Sequence, residues 1–528
     1  MLIVGIGGIL RDAAAALLRD GELVAAIEED KLRGSSPARR AGTLPLEAVR
    51  TCLQLAGATP DQVDWVLLAG PLGAGASSHL HLQVKSLFPG ARIRVVDHHT
   101  AHAASAFFLS PFEQATVLTL DRTGDMRCGA LWRAESNTLR LEEEIYAPDS
   151  PADFYGRVTE LLGFRARAEE HKVQWLSAAG QPAYAELFRE VMGANSHRWP
   201  SFDRSYFDAN RTTHGGFSDK FFARLGSLRP GEIPAELRVN VAASVQRAVE
   251  SVVLELAGSG ENLCLAGGLA LNALLVAALE NSGCYRKIYV QPAAGNAGTA
   301  LGVALHGWHH VLRRQERVSP GNLCYGPGFD REEIKKVLEN CKLRFRYLLT
   351  TGEVIETAVA KLAERQIVAW FQGRMEFGPR ALGNRSILAS PLNPYSTENL
   401  NIYIKHREPF RKFAASAPAE IAGEYFHCGA NARFLATVSR VREKYRQTFA
   451  AAVLGGDWIR VHAVQREDNP LYWELLHAAG RVSGLPVLYN TSFNLFGEPL
   501  VCDPRDAVRS FYSSGIDSMF VGNFFLEK

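Results

Sequence analysis

The chain has 528 residues, of which 47% are hydrophobic and 22% charged, and its formal net charge is +2. This length exceeds what a single hydrophobic core usually supports and predicts two large, ordered domains. The near-neutral charge argues against nucleic-acid binding, and eight cysteines without a Cys-x-x-Cys pair argue against a zinc ribbon or a disulfide framework. No segment approaches a membrane-spanning length, so we expect a cytoplasmic protein with no membrane partner.

Two stretches of the chain repeat one pattern of apolar strand, Gly/Asp turn and apolar strand. The first runs over residues 2–27 through a turn at Gly8 and Asp12, and the second runs over residues 116–132 through Asp121. The repetition predicts a duplicated half-domain whose turns face a shared cleft. This resembles the architecture shared by actin, sugar kinases and the heat-shock chaperone ATPases, although two unrelated hairpins would give the same pattern.

The segment that follows predicts an insertion and two strand-turn-helix units. Residues 133–238 have weaker periodicity, and we expect an acceptor-facing insertion there. An amphipathic helix over 240–256 precedes a strand and the turn Gly267-Gly268, and a second strand precedes the glycine-rich loop 292–298. Glycine turns let backbone N–H groups approach phosphate oxygens closely, which favours a ligand cleft.

A second domain begins beyond a linker rich in glycine and proline, which we place at residues 320–329. Helices, then a strand over residues 367–371, predict a mixed α/β domain. The expected domains are residues 1–328 and residues 329–528.

The motif GRMEFGPRALGNRS over residues 373–386 contains three arginines, and NTSFN over residues 490–494 supplies hydroxyl and amide groups. Guanidinium groups and hydroxyls match phosphate oxygens, so the pair predicts a phosphate-binding site. The alternative is that the arginines form surface ion pairs and the glycines only turn the chain.

His98 and His102 are spaced four residues apart, before an apolar helix expected over residues 103–108. One helical turn would place both imidazoles on one face, as a divalent metal requires, and Asp121 at a strand end offers a third ligand. Helix capping and core hydrogen bonds are the alternative roles for these side chains.

Seven segments together resemble the O-carbamoyltransferases of the nodulation-protein-U and cephamycin/tobramycin carbamoyltransferase type. They are residues 97–112, 170–172, 265–272, 291–302, 370–390, 401–414 and 486–503. The resemblance implies an actin-like (ASKHA, Kae-like) duplicated N-terminal domain and a YrdC-like C-terminal α/β domain. It also implies that the C-terminal domain makes carbamoyladenylate from carbamoyl phosphate and ATP, and that the N-terminal domain passes the carbamoyl group to an acceptor hydroxyl.

The resemblance also implies roles for particular residues. Carbamoyl phosphate and ATP would be bound by Arg374, Arg380, Arg385, Ser386, Lys405, Arg411, Arg460, Asn490 and Ser492. The adenylate would be bound in the N-terminal domain by Gly267, Gly268, Asn272, Gly295 and Asn296. Mg²⁺ would accompany ATP, and iron or a similar divalent ion would lie on His98, His102, Asp121 and residue 296. The expected catalytic residues are His98, His102 and Asp12.

The chain departs from this family around the transfer site. Asn296 replaces the aspartate that would be the fourth metal ligand, so metal binding is expected to be weak there. Arg11 stands where the family has histidine, residues 35–40 lack a Lys-His pair, Trp175 replaces a glycine, and residues 454–456 replace a His-x-Asp run. The adenylate-forming half is therefore expected to be the better preserved one.

We expect a carbamoyltransferase that acts on a hydroxyl of a small secondary metabolite. The oligomeric state is left open, and a homo-oligomer is one of the alternatives. The first alternative is a different nucleophile, such as an amine, or a different ATP-driven second step. The second is a nucleotide-binding regulator or scaffold whose transfer site is inactive. A tRNA-modifying role and thiol carbamoylation are the least favoured, because the chain lacks a basic face and zinc fingers.

Overall fold

The computed structural model describes residues 1–34, 41–70, 77–194, 199–226, 233–317 and 321–528. Two five-stranded sheets form the first part of the chain. One contains β1 (Leu2–Gly7), β2 (Ala14–Arg19), β3 (Glu22–Glu28), β4 (Trp65–Ala69) and β5 (Arg92–Val96). The other contains β6 (Gln114–Gly124), β7 (Arg127–Glu135), β8 (Thr138–Tyr146), β9 (Gly260–Ala266) and β10 (Tyr285–Val290).

The two sheets have the same topology. In the first the order is β3-β2-β1-β4-β5, and in the second it is β8-β7-β6-β9-β10. In each, the leading strand pairs antiparallel with its hairpin partner and parallel with the strand that follows the hairpin. The predicted duplicated, actin-like fold is thereby confirmed, and the insertion lies between β8 and β9.

A ten-stranded mixed sheet forms the last part of the chain and confirms the predicted α/β fold there. Its members are β11 (Arg346–Tyr347), β12 (Val368–Phe371), β13 (Arg385–Ala389), β14 (Ala414–Pro418), β15 (Phe426–His427), β16 (Val438–Val441), β17 (Trp458–Val464), β18 (Leu488–Ser492), β19 (Ser518–Val521) and β20 (Phe524–Glu527). The order is β11-β20-β19-β12-β13-β18-β14-β17-β16-β15. Because β13 pairs with β18, Ser386 lies opposite Ser492 and the two sequence motifs become neighbours.

Helices cover the sheets. They are α1 (Glu29–Arg33), α2 (Leu46–Leu55), α3 (Ser77–Leu87), α4 (His98–Phe107), α5 (Pro151–Leu161), α6 (Glu170–Ser177), α7 (Ala185–Val191), α8 (Asp219–Leu225), α9 (Ala235–Ala257), α10 (Ala273–Ser282), α11 (Gly298–His306), α12 (Arg331–Asn340), α13 (Thr351–Ala363), α14 (Ser396–Asn399), α15 (Ala419–Ala422), α16 (Pro470–Ser483) and α17 (Pro504–Tyr512). Within the described ranges, no helix has both the length and the apolar character that crossing a membrane would require.

Helices α4 and α11 pack against each other and against the first two sheets. They cross closely because Gly302 faces Ala101, where an added Cβ would lie 1.8 Å from the carbonyl oxygen. The expectation that α4 starts after the histidines is wrong. It begins at His98, because Asp97 caps it by accepting a hydrogen bond from the Thr100 backbone nitrogen at 2.8 Å.

Candidate functional site

A cavity of about 800 Å³ lies between the turns of the first two sheets and the arginine motif of the third. Its wall combines turn residues, metal-ligand candidates, α6 side chains and a guanidinium group. Those used below are Asp12, His98, Asp121, Gly268, Asn272, Gly295, Asn296, His171 and Arg380. The cavity therefore brings predicted residues from both parts of the chain to one space.

The predicted metal ligands form a compact cluster. His98 Nε2 lies 3.0 Å and His102 Nε2 3.3 Å from the same oxygen, Oδ2 of Asp121. The ligand atoms of the three residues lie within 4.8 Å of one another. Both ring nitrogens of His102 are enclosed and lack a well-formed hydrogen bond within the described part of the chain. The two Nε2 atoms and the Asp121 carboxylate therefore converge in an enclosed space without good hydrogen-bond geometry at His102, which fits a bound divalent ion.

Two of the three ligand candidates are held in their metal-binding protonation state. Burial lowers the pKa of His102, which keeps its imidazole neutral. Burial would raise the pKa of Asp121, but the imidazoles of His102 and His98, whose Nε2 atoms lie within 3.3 Å of its Oδ2, hold it well below the usual range. A neutral imidazole and an ionised carboxylate are the forms that coordinate cations. Burial would lower the pKa of His98, but the hydrogen bond and charge of Asp121 raise it, so a metal that binds there must displace a proton from His98.

Asn296 and Asp12 lie on facing turns beside the cluster. The Asn296 amide nitrogen is 3.4 Å from Asp12 Oδ2, and both residues line the cavity. Asp12 has φ of 56°, a left-handed conformation at the turn between β1 and β2. Its carboxylate is 54% exposed and lies 3.9 Å from the Arg11 guanidinium. Partial burial in the cleft raises the pKa of Asp12, although Arg11 opposes this, and a raised pKa suits a proton acceptor.

The predicted adenylate-binding glycines lie at turns of the second sheet, where Gly268 adjoins Asp121. Gly267 adopts φ of 93°, and a Cβ there would lie 2.1 Å from the Leu120 carbonyl oxygen, so only glycine fits. Gly268, Asn272 and Gly295 line the cavity. Asn272 also caps α10 by accepting the Leu275 backbone N–H.

Arg380 and Arg460 have no carboxylate partner among the residues that the structure describes. Arg380 forms no hydrogen bond or ion pair with any described residue, and burial lowers its pKa to about 10. Burial and then the Arg380 charge lower the pKa of Arg460, whose enclosed Nε is also unpaired within the described residues. Arg460 is stacked on Trp175, 4.8 Å from the ring centroid. Such a pair repels itself unless an anion lies nearby.

Lys405 and Ser492, both expected to bind carbamoyl phosphate or ATP, lie beside each other. Lys405 Nζ lies 2.5 Å from the Ser492 carbonyl oxygen and 2.7 Å from Asn494 Oδ1. Burial, with Arg407 and Arg411 beside it, lowers the pKa of Lys405, whereas the surrounding oxygen atoms favour the charged form. Arg411 has an enclosed Nε without a partner among the described residues, and Glu408 is 3.9 Å away.

Arg374 and Arg385 lie in a different environment from Arg380. Arg374 donates to the main-chain carbonyls of Gly326, Val24 and Tyr325. The Arg385 guanidinium is fully buried, lies 3.6 Å from the Phe371 ring centroid, and donates to four main-chain carbonyls. Apart from Arg385 Nε, which is enclosed and unpaired among the described residues, the donors named here are directed at main-chain carbonyls of the protein itself, so we assign both arginines to the framework of the site rather than to ligand contacts.

Ser386 and Asn490 also hold the loop that carries Arg380. The Ser386 hydroxyl accepts the Gly383 backbone N–H at 3.1 Å, and the Asn490 amide donates to the Ala381 carbonyl at 3.1 Å. Asn490 Oδ1 is enclosed without a partner within the described chain. The two side chains are thus placed directly beneath the loop.

Two loop-holding contacts were missed from the sequence. Oε1 of the buried Glu376 accepts three backbone N–H groups, of Leu382, Asn384 and Arg385, at 2.8 to 3.2 Å. Lys31 donates to the Glu376 and Gly378 carbonyls at 3.0 and 2.7 Å. The position of Glu376 between the apolar residues Met375 and Phe377 was a usable signal in the sequence. Nothing in the local sequence distinguishes Lys31 from an ordinary surface lysine.

His171 lies within residues 170–172, one of the segments that carry the resemblance, but it was not predicted as a site residue. It lines the cavity. Other expectations fall outside the described residues, including the comparison at residues 35–40 and the first residue of the linker, Pro320. Trp175 and residues 454–456 are described, and Trp175 packs against the apolar cluster that includes Leu454.

A duplicated actin-like cleft that shares a cavity with a cation-rich α/β sheet defines a two-part group-transfer enzyme. Residues 74–305 match the family model described as Carbamoyltransferase N-terminus, and residues 359–528 match Carbamoyltransferase C-terminus. The chain belongs to the carbamoyltransferase family, and the protein is a carbamoyltransferase.

Similar chains include two nodulation proteins. Nodulation protein NolNO of Sinorhizobium fredii is 31% identical over 98% of this chain and 79% of its own length. Nodulation protein U of Rhizobium tropici is 25% identical over 96% of this chain and 93% of its own. Among solved structures, HypF of T. kodakarensis has a TM-score of 0.33 at 14% identity, covering 60% of this chain and 49% of its own.

Proposed function

We propose that residues 329–528 form carbamoyladenylate from carbamoyl phosphate and Mg²⁺-bound ATP, and that residues 1–328 transfer the carbamoyl group to a hydroxyl of a small metabolite. One observation carries the proposal. Arg380, a cation that pairs with none of the described residues, lines the same cavity as His98 and Asp121.

The first half-reaction needs cations because both reactants are anions. Carbamoyl phosphate and water give carbamate and phosphate, and a carbamate oxygen then attacks the α-phosphorus of ATP as pyrophosphate leaves. Arg380, Arg460 and Arg411 would offset the mutual repulsion of the reactants and hold them for in-line attack. Lys405, whose ammonium group donates to oxygen atoms of Ser492 and Asn494 at 2.5 to 3.4 Å, would add positive charge for the phosphate groups and hold the segment that carries the Ser492 hydroxyl.

The second half-reaction uses the cleft between the first two sheets. His98, His102 and Asp121 would hold a divalent ion, with the Asn296 amide as a weak fourth ligand. Such an ion, when bound, polarises the carbonyl and neutralises phosphate charge. Asp12, with its raised pKa, would accept the proton of the acceptor hydroxyl. The glycine turns at Gly268 and Gly295 would admit the adenylate.

Two substitutions separate the half-reactions. The wild-type protein should release pyrophosphate only when ATP and carbamoyl phosphate are both present. R380A should abolish that release, whereas H98A should retain it and lose carbamoylation of acceptors, followed by mass spectrometry over a library of hydroxyl and amine compounds. Absence of pyrophosphate release from the wild type would overturn the proposal. If H98A kept every activity of the wild-type protein, a nucleotide-binding protein whose cleft is not used for transfer would be favoured instead.

A further inference from the structure

Helix α6 of the N-terminal part lies against the cations of the C-terminal part. Lys172 Nζ forms ion pairs with Glu169 at 2.9 Å and with Glu408 at 2.5 Å. One turn further along the helix, Trp175 lies against Arg460. His171 and Trp175 are four residues apart and so share one helix face, which is directed at the arginines.

The environment of His171 contains more donors than acceptors. Its Nε2 is enclosed and has no hydrogen-bond partner among the described residues, and the same holds for Nε of Arg411 and Nε of Arg460. The charged groups that act most strongly on the imidazole are the cations Arg411, Arg380 and Lys172 and the carboxylate of Glu169. Burial, and then these cations, lower its pKa to about 3, so the ring is neutral. Several enclosed donors that converge without protein acceptors suit the binding of an anion.

We propose that His171 donates a hydrogen bond from Nε2 to the phosphate oxygens held by Arg380 and Arg411, so that the anion site is built by both parts of the chain. A neutral imidazole suits this position because it adds a donor without adding a fourth positive charge. The inference rests on the proposed function only for the identity of the phosphorylated ligand. The ligand class, a phosphate or polyphosphate anion, follows from the donors themselves.

A structural role for His171 makes a different prediction. If the imidazole only filled space between α6 and the cations, then an apolar side chain of similar size would serve and anion binding would not change. His306 provides the matched control. It is also a buried imidazole with an unpaired nitrogen among the described residues and a pKa lowered to about 4 by burial, but it does not line the cavity.

The test is calorimetric titration of the full chain with inorganic pyrophosphate. H171L should weaken binding by about tenfold or more, H171Q should stay within about threefold of the wild type because its amide keeps a donor, and H306L should be unchanged. Unchanged binding by H171L, or equally weak binding by H171Q and H171L, would overturn the inference. Imidazole ¹⁵N NMR of the wild type gives a second measurement that needs no variant to fold. The His171 Nε2 signal should shift on addition of pyrophosphate, and a constant signal would overturn the inference.

Failure of this inference differs from failure of the proposed function. Pyrophosphate binding that depends on His171, in a protein that releases no pyrophosphate from ATP and carbamoyl phosphate, supports the anion site and contradicts the proposed reaction. Normal turnover together with binding that does not depend on His171 contradicts only the inference.

Discussion

Replacing Arg380 with glutamine is expected to stabilise the protein while abolishing its first half-reaction. Arg380 has no acidic partner in the described structure, and burial alone lowers its pKa from 12.5 to about 10. Because the pKa is depressed in the folded state, the cost of the charge is fully present at neutral pH and is relieved only as the pH rises above about 10. That cost corresponds to about 3 kcal/mol.

Glutamine removes the charge and keeps much of the aliphatic stem, whose shortening costs about 1 kcal/mol. The free energy of unfolding of R380Q should therefore rise by about 1 to 2 kcal/mol, whereas pyrophosphate release should fall by about 100-fold or more. Urea denaturation at neutral pH gives the first quantity, and a coupled pyrophosphate assay gives the second.

Arg374 supplies the matched control for Arg380. Its guanidinium donates to main-chain carbonyls of Gly326, Val24 and Tyr325 at 2.6 to 3.0 Å, so R374Q leaves some of these acceptors unpaired. R374Q should lower the free energy of unfolding by about 2 kcal/mol. If R380Q were destabilised like R374Q and still released pyrophosphate, Arg380 would be a structural residue and the reasoning would be refuted.

Three further substitutions test other parts of the site. K31M removes the donor to the Glu376 and Gly378 carbonyls and should loosen the loop that carries Arg380. KM for carbamoyl phosphate should therefore rise by about tenfold. An unchanged KM in steady-state kinetics would contradict this. N296D restores a negative ligand, so divalent-metal titration should show about tenfold tighter binding, and equal affinity would place residue 296 outside the metal site. In the wild type the transfer rate should rise with pH as Asp12 ionises through its raised pKa. D12N should remove this rise. A rise retained in D12N would show that another residue is the general base.

The duplicated fold could be predicted because its evidence is local. Each leading strand is a short apolar run followed by a Gly/Asp turn, and the two runs recur in the same order. The approach of His98 and His102 to Asp121 was predictable for the same reason, since helical spacing and a carboxylate at a strand end are visible in the sequence.

The different environments of the three motif arginines could not be predicted. Arg374 contacts the Val24 carbonyl, 350 residues away in the chain, and a main-chain acceptor leaves no mark in the sequence. Arg380, six residues further on, points to a cavity whose other wall belongs to the first two sheets. His171 likewise acquires its surroundings from Arg411 and Arg380, so its environment is a property of how the two parts of the chain pack.

The most direct test of the central claim is exchange of radiolabelled pyrophosphate into ATP by the wild-type protein without any acceptor. Reversible adenylate formation at the site of Arg380, Arg460 and Lys405 predicts exchange that requires carbamoyl phosphate and is lost in R380Q. Exchange that proceeds without carbamoyl phosphate, or its absence when both substrates are bound, would contradict the account.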